Sequence, residues 1–259
     1  MIELNDENYY TRQADIDYMS YSQFKQFETC EAAALAVLNG ETKQQPPTTA
    51  LLVGSYVDAF FDGTLDEFKT KNPQIFKKDG SLKADFTLAE KIIERVQRDE
   101  MFMKYMNGEK QVIQTGKIAG VPFKIKMDSY HPGRAIVDLK CMRDISPIWD
   151  DQQHARVPFA DAYGYTIQAA IYREIVRQNT GDTLPYFLAV ATKQDEPDIN
   201  LMFIPDDVMD EQLAHVMLNA PHIQDIKTGK VPPMRCGKCA YCRKTKIITE
   251  IIDYRDATN

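Results

Sequence analysis

The stretch from Lys124 to Lys140, KIKMDSYHPGRAIVDLK, reads as two short strands around a Pro132-Gly133 turn. Residues two apart in a strand share a face. Lys124, Lys126 and Asp128 therefore fall on one side of the first strand, and Phe123, Ile125 and Met127 on the other. On the second strand Asp138 and Lys140 point the same way, with Val137 and Leu139 turned into a core. If the strands pair as a hairpin, two carboxylates and an ammonium converge on one side of a sheet.

Such a grouping has a chemical consequence. Two neighbouring carboxylates repel, and one takes up a proton unless a divalent cation lies between them. Mg²⁺ suits that place, since it takes oxygen ligands from one or two carboxylates and completes its shell with water and phosphate. A lysine beside the ion orients a water or steadies charge on a phosphoryl transition state. The plainer reading is a surface hairpin whose charges face solvent.

At 259 residues the chain can build one large or two small domains. Its 44% hydrophobic and 27% charged residues suit a globular protein in water. No apolar run approaches the ~18–20 residues of a membrane span, and the opening MIELNDENYY lacks a signal-peptide pattern, so a cytoplasmic protein is expected. Five cysteines, three of them bunched, point to metal chemistry rather than disulfides in a reducing compartment. A net charge of −7 weighs against nucleic-acid binding. Against it stands one basic segment with no acid in it, carrying Lys227, Lys230, Arg235, Lys238, Arg243, Lys244 and Lys246. That segment is either a DNA track or a solvated basic tail.

Along the chain, Ser20 to Gln23 forms a capping box opening a helix that runs to Asn39-Gly40 and carries Cys30. A lone helical cysteine is ordinarily a small buried residue. A polar connector, Gln44 to Thr49, leads to a helix from Ala50 to Asp62, where Gly54, Asp58 and Asp62 line one face. Residues 63 to 87 read as a polar loop, and a second capping box, Thr87 to Glu90, starts a helix ending near Asn107-Gly108. Strands over Gln111–Thr115, Ile118–Asp128 and Ala135–Met142 form an antiparallel meander. After a linker with Pro147, Trp149 and Pro158 comes a helix from Asp161 to Gln178. Gln168 and Tyr172 lie one turn apart on it; by pattern alone they are a surface glutamine and a buried tyrosine. Strands over Tyr186–Thr192 and Ile199–Ile204 precede a helix from Asp206 to about Asp225. His131, His154, His215 and His222 have no spacing that suggests a shared metal, and no role is assigned to them.

Near the C-terminus, Cys236-Gly-Lys-Cys239-Ala-Tyr-Cys242 lets three thiolates address one centre. A fourth ligand is then needed. Iron–sulfur and structural zinc are both open on this spacing, since Zn²⁺ also accepts four thiolates. Cys141, on the inward face of its strand, reads as core.

Asp128, nine residues, then Asp138-Leu139-Lys140 resembles the D…(D/E)-x-K signature of PD-(D/E)XK nucleases. With the other segments, the chain resembles the RecB-like branch, and within it phage and prophage exodeoxyribonuclease VIII-like proteins. The resemblance implies an α+β fold whose central mixed sheet is flanked by helices, with a C-terminal cysteine cluster. It would be a single nuclease domain over 1–259. The N-terminal helices would lie at 18–62, the catalytic sheet core at 109–204 with its helix at 161–178, and the basic cysteine-rich segment at 227–246.

It further implies that Asp128 and Asp138, with the Leu139 carbonyl, bind Mg²⁺ or Mn²⁺ while Lys140 positions or activates water. Asp58 stands where the family's helix carries a histidine, a departure, and would complete the site. Gln168 and Tyr172 match a Q-x-x-x-Y pair implied to contact DNA near the scissile phosphate and to support the lysine. By the same resemblance Cys30 joins Cys236, Cys239 and Cys242 around a [4Fe–4S] cluster, with Zn²⁺ the alternative; Cys242 departs from the family's wider spacing. The implied function is a metal-dependent DNA exonuclease acting on double-stranded ends in phage-type recombination, in the cytoplasm of a bacterial host cell. DNA, a single-strand annealing recombination protein and further copies of the chain are the implied partners. The alternative is a non-catalytic DNA-binding protein that retains the fold.

Overall fold

A computed structural model describes residues 1–42, 46–151, 153–249, 251 and 253. Positions 44 and 45 of the expected connector lie outside the described residues. In chain order the elements are α1 (Arg12–Asp17), α2 (Tyr21–Thr29), α3 (Glu31–Leu38), α4 (Thr49–Phe61), α5 (Leu65–Lys71), α6 (Ala84–Gln97) and α7 (Glu100–Met106). The strands β1 (Val112–Ile118), β2 (Val121–Met127), β3 (Ser129–His131), β4 (Ala135–Met142), β5 (Ile148–Asp150) and β6 (Ala155–Val157) follow. Then come α8 (Phe159–Ala162), α9 (Tyr165–Thr180), β7 (Tyr186–Thr192), β8 (Ile199–Ile204), α10 (Asp206–Lys227) and α11 (Ala240–Lys244). None of the described helices is long and apolar enough to cross a membrane.

The chain divides into two compact units, one of residues 46–116 and 125–214, the other of residues 1–45, 117–124 and 215–259. The first contains a four-stranded mixed sheet of order β3-β4-β7-β8. β4 and β7 run parallel, with Asp138 opposite Leu188, and the outer strands pair antiparallel to them. Val137 and Leu139 of β4 and Ala189 and Ala191 of β7 pack with Val53, Val57, Phe86, Ile92, Val96 and Phe102 from α4, α6 and α7. α9 covers the other side of β4, where Gln168 reaches Asp138. A strand covered on both faces has to be almost wholly apolar. In β4 the polar exceptions are Asp138 and Lys140.

Several expectations are corrected here. The hairpin built around Pro132-Gly133 is shorter than its sequence pattern: β3 contributes Ser129 to His131 only, and Asp128 lies between β2 and β3. The 118–128 strand is broken earlier as well, because Ala119 and Gly120 take left-handed conformations and turn β1 back on β2 as a separate two-stranded ladder. The three strands are thus not one meander. Residues 63–87 are not a loop. α5 forms there with Asp66 and Glu67 in its first turn and Lys69 and Lys71 in its last, charges that suit the helix dipole at both ends. α6 begins at Ala84, so Thr87 lies inside it and its hydroxyl donates back to the Lys83 carbonyl at 3.4 Å instead of capping. The helix expected to reach Asn107 stops at Gln97, and α7 restarts where Asp99 accepts from the Phe102 amide at 2.8 Å. The proline-containing linker folds into the β5–β6 hairpin.

In the second unit, Ser20 does cap α2, accepting from the Gln23 amide at 3.2 Å. The helix expected to run to Asn39 breaks at Cys30, which is extended (φ −167°, ψ 107°). In an unbroken helix the Ala32 amide would bond four residues back. Here it donates to the Met234 carbonyl at 3.0 Å. Lys124, expected beside Lys126 and Asp128 on an open face, is 2% exposed. Its ammonium donates to the Tyr9 carbonyl at 2.5 Å and to Asp15 at 2.7 Å, and lies 4.6 Å from the Tyr9 ring centre.

Candidate active site and cysteine cluster

The site grows from β4. Asp138 and Lys140 alternate with the buried Val137 and Leu139 and so share the face that α9 covers. The β3–β4 ladder pairs Ser129 with Val137, which leaves Asp128 next in line. Its carboxylate takes over where the backbone ladder ends and accepts from the Leu139 amide at 2.9 Å. Asp138, only 2% exposed, accepts from the Gln168 side-chain amide through Oδ1 at 2.7 Å. Its Oδ2 has the Lys140 ammonium against it.

Charge at this place is crowded. Burial pushes the Asp58 carboxyl well above the usual carboxylate range, and Asp128 adds to the push while Lys140 opposes it. Asp128 is raised for the same reason, burial first and Asp138 second. Both side chains keep part of their surface open to solvent. Burial acts against the charged form of Lys140, but Asp138 and then Asp128 outweigh it and hold the group protonated. Burial and then Asp58 raise the Cys141 thiol, which packs against the apolar core as expected.

The predicted residues Asp58, Asp128, Asp138 and Lys140 thus lie within reach of one another's charge, and Gln168 bonds to Asp138. Tyr172 is buried instead, its hydroxyl donating to the Lys126 carbonyl at 3.1 Å and its ring edge-on to Tyr186. Gln168 is 5% exposed, not a surface residue as its pattern alone suggested.

Three further residues border the group without having been singled out in sequence. The Tyr165 ring centre lies 4.8 Å from the Lys140 ammonium, within cation–π range. Gln111 donates to Asp62 at 3.0 Å from a left-handed conformation (φ 52°), which is uncommon for a residue with a side chain. Lys110 bonds the Met106 carbonyl, and burial lowers its pKa while Asp62 and Asp128 raise it. Only Tyr165 had a legible signal, one turn before Gln168 on the same helix.

In the other unit, the sulfurs of Cys30, Cys236, Cys239 and Cys242 all lie within 4.8 Å of one another. Among the described residues this is the only group of three or more such side chains close enough to hold an ion as they stand. The basic segment around it is partly spent internally. Lys227 donates to the Asp15 and Tyr18 carbonyls and to Gln23 at 2.8, 3.1 and 2.7 Å, and Arg235 donates to the Cys242 carbonyl at 3.0 Å. His215 and His222 pair with Glu28 and Glu31, and no histidine joins a metal group among the described residues.

Comparison with known proteins bears on the fold and the family. A crystal structure from Eubacterium rectale, described as a "putative exonuclease", superposes with a TM-score of 0.94 at 48% identity, covering 100% of this chain and 99% of that one. No curated protein matches. The model of the family described as "PDDEXK-like domain of unknown function (DUF3799)" matches residues 20–245. The mixed sheet, the acids on and beside its central strand and the match over most of the length agree: the chain belongs to this PDDEXK-like family.

Proposed function

We propose that the chain is a divalent-metal-dependent deoxyribonuclease, an exonuclease that hydrolyses phosphodiester bonds at double-stranded DNA ends in phage-type recombination. The observation that carries this reading is the clamp on Asp138, with Gln168 on one oxygen and the Lys140 ammonium on the other, beside two more carboxylates held at raised pKa. Three crowded carboxylates, two of which resist ionisation, are what a hard, oxygen-seeking cation would satisfy, so the donor set fits Mg²⁺ or Mn²⁺. Asp128 and Asp138 would hold the ion, with the Leu139 carbonyl and Asp58 completing its protein ligands. Such an ion lowers the pKa of bound water and neutralises developing charge.

The chain's own groups do the rest. Lys140, as an ammonium, orients the attacking water and balances negative charge growing on the phosphate oxygens. Gln168 fixes the Asp138 rotamer, and Tyr172 ties α9 to the end of β2 so that Gln168 stays in reach. Tyr165 lies against the lysine and limits where its amine can swing. The 48% identical "putative exonuclease" lends the exonuclease part its support.

The test is digestion of end-labelled linear duplex and closed circular DNA with Mg²⁺, beside Lys140→Ala. Loss of label from linear DNA alone, abolished by the substitution, is expected. Cutting of the circle would make the enzyme an endonuclease. Binding without any cutting by the parent protein would overturn the enzymatic reading.

A further inference from the structure

We propose that Cys30, Cys236, Cys239 and Cys242 hold a single Zn²⁺ ion in a tetrahedral thiolate site, in place of the [4Fe–4S] cluster that the RecB-like resemblance implies. The inference rests on none of the residues assigned to DNA cleavage.

Sulfur spacing separates the two metals. Zn–S bonds of ~2.3 Å put the four sulfurs of a tetrahedral site ~3.8 Å apart. The separations in the structure are 3.6 Å for Cys30 to Cys242, 3.8 Å for Cys30 to Cys239 and 3.9 Å for Cys236 to Cys242. An iron–sulfur cubane instead takes one thiolate at each of four iron corners, with the sulfurs radiating outward. Each pair of sulfurs is then separated by an iron–iron edge plus the outward run of two Fe–S bonds. That distance exceeds the 4.8 Å within which all four sulfurs lie. A disulfide is excluded from the other side, since it needs ~2.05 Å and the cysteines are free.

The local backbone suits a compact ion. Gly237 takes a left-handed conformation (φ 74°), turning the chain so that the Cys239 amide donates to the Cys236 sulfur at 3.3 Å. One step on, the Cys242 amide donates to the Cys239 sulfur at 3.4 Å. Amide hydrogen bonds of this kind stabilise thiolate over thiol. Four thiolates around Zn²⁺ leave a net charge of −2. Arg235, bonded to the Cys242 carbonyl, and Lys238, Arg243 and Lys244 within the same segment supply compensating charge. Thiolate sites also bind Zn²⁺ more tightly than Fe²⁺ in the usual divalent series. The ion would close a link between residues 212 positions apart and fix the break at Cys30 that separates α2 from α3.

The full-length protein should be purified anaerobically from cells supplied with both iron and zinc, then analysed for metals and acid-labile sulfide. One zinc per chain, with neither iron nor sulfide above trace and no broad visible absorbance, is expected. Exchange with Co²⁺ should give the visible bands of a tetrahedral thiolate site. Several irons with sulfide, one iron alone, or no metal at all would each overturn the proposal. Cys30→Ser should lose at least half of the zinc; full retention with an unchanged cobalt spectrum would remove Cys30 from the ligand set and overturn the four-cysteine assignment. Because the metal content of the unaltered protein is decisive alone, a poorly folding variant does not rescue the idea.

Discussion

Gln168 donates its side-chain amide to Asp138 Oδ1 at 2.7 Å, joining two buried groups 30 positions apart in sequence. Asp138 has no freedom left on that oxygen, so its other oxygen is aimed by geometry rather than by chance.

Replacing Gln168 with Leu keeps most of the volume and removes the donor. A buried carboxylate oxygen left unpaired costs about 1–3 kcal/mol. The urea midpoint should fall accordingly. Because the carboxylate is then free to rotate, cleavage in single-turnover assays should drop by roughly tenfold with DNA affinity nearly unchanged. Weaker DNA binding with normal turnover would show instead that Gln168 contacts DNA directly.

Lys140 is the only positive side chain touching Asp138 among the described residues. Lys140→Ala should lower the cleavage rate by about 10³-fold, as loss of a charge aimed at the transition state does. It also strips a buried acid of its counter-charge, a loss of about 3–5 kcal/mol when one partner of a buried pair is removed. Lys140→Ala,Asp138→Asn should recover much of the stability and none of the activity. That split, read by unfolding curves beside digestion assays, separates the catalytic role from the structural one.

Asp58 is pushed toward its neutral form by burial and by Asp128. Asp58→Asn removes a carboxyl whose burial beside other acids is unfavourable, so the protein in chelator should gain about 1 kcal/mol in stability. The same change removes a proposed ion ligand, and the Mg²⁺ concentration for half-maximal cleavage should rise roughly tenfold. A variant less stable in chelator and unchanged in its Mg²⁺ requirement would remove Asp58 from the site.

The placing of Asp138 with Lys140 was legible because a strand's two-residue period leaves little choice: with Val137 and Leu139 inward, the two must share the other face. The cysteine grouping was legible for a similar reason, since short fixed spacings converge whatever the rest of the chain does. What escaped were features decided by distant contacts. Nothing between Ser20 and Gly40 breaks a helix by propensity, yet the chain breaks at Cys30, where the sulfur turns to Cys242 and the Ala32 amide to Met234. Lys124 looked like the polar half of an alternating strand, but Asp15 and the Tyr9 carbonyl, more than 100 positions away, let it be buried. The parallel pairing of β4 with β7 likewise depends on the intervening crossover through α9, which no local pattern encodes.

Lys227 offers a test by pH. Burial lowers its pKa from 10.5 to about 8, against the pull of Asp15. The folded protein therefore gives up this proton near pH 8, while the unfolded chain keeps it until near its ordinary value. Between those limits the unfolded state binds more protons, so stability rises with pH. Below the lower limit the cost of burying the ammonium is fully present. From pH 7.5 to 9.5 this residue should add about 1–2 kcal/mol to the unfolding free energy. Lys227→Met removes the titrating group, and its stability should lack that rise when compared with the parent protein in urea. If the parent and the variant show the same slope, then the three oxygens around the ammonium at 2.7, 2.8 and 3.1 Å hold it charged throughout, and burial is not the stronger influence.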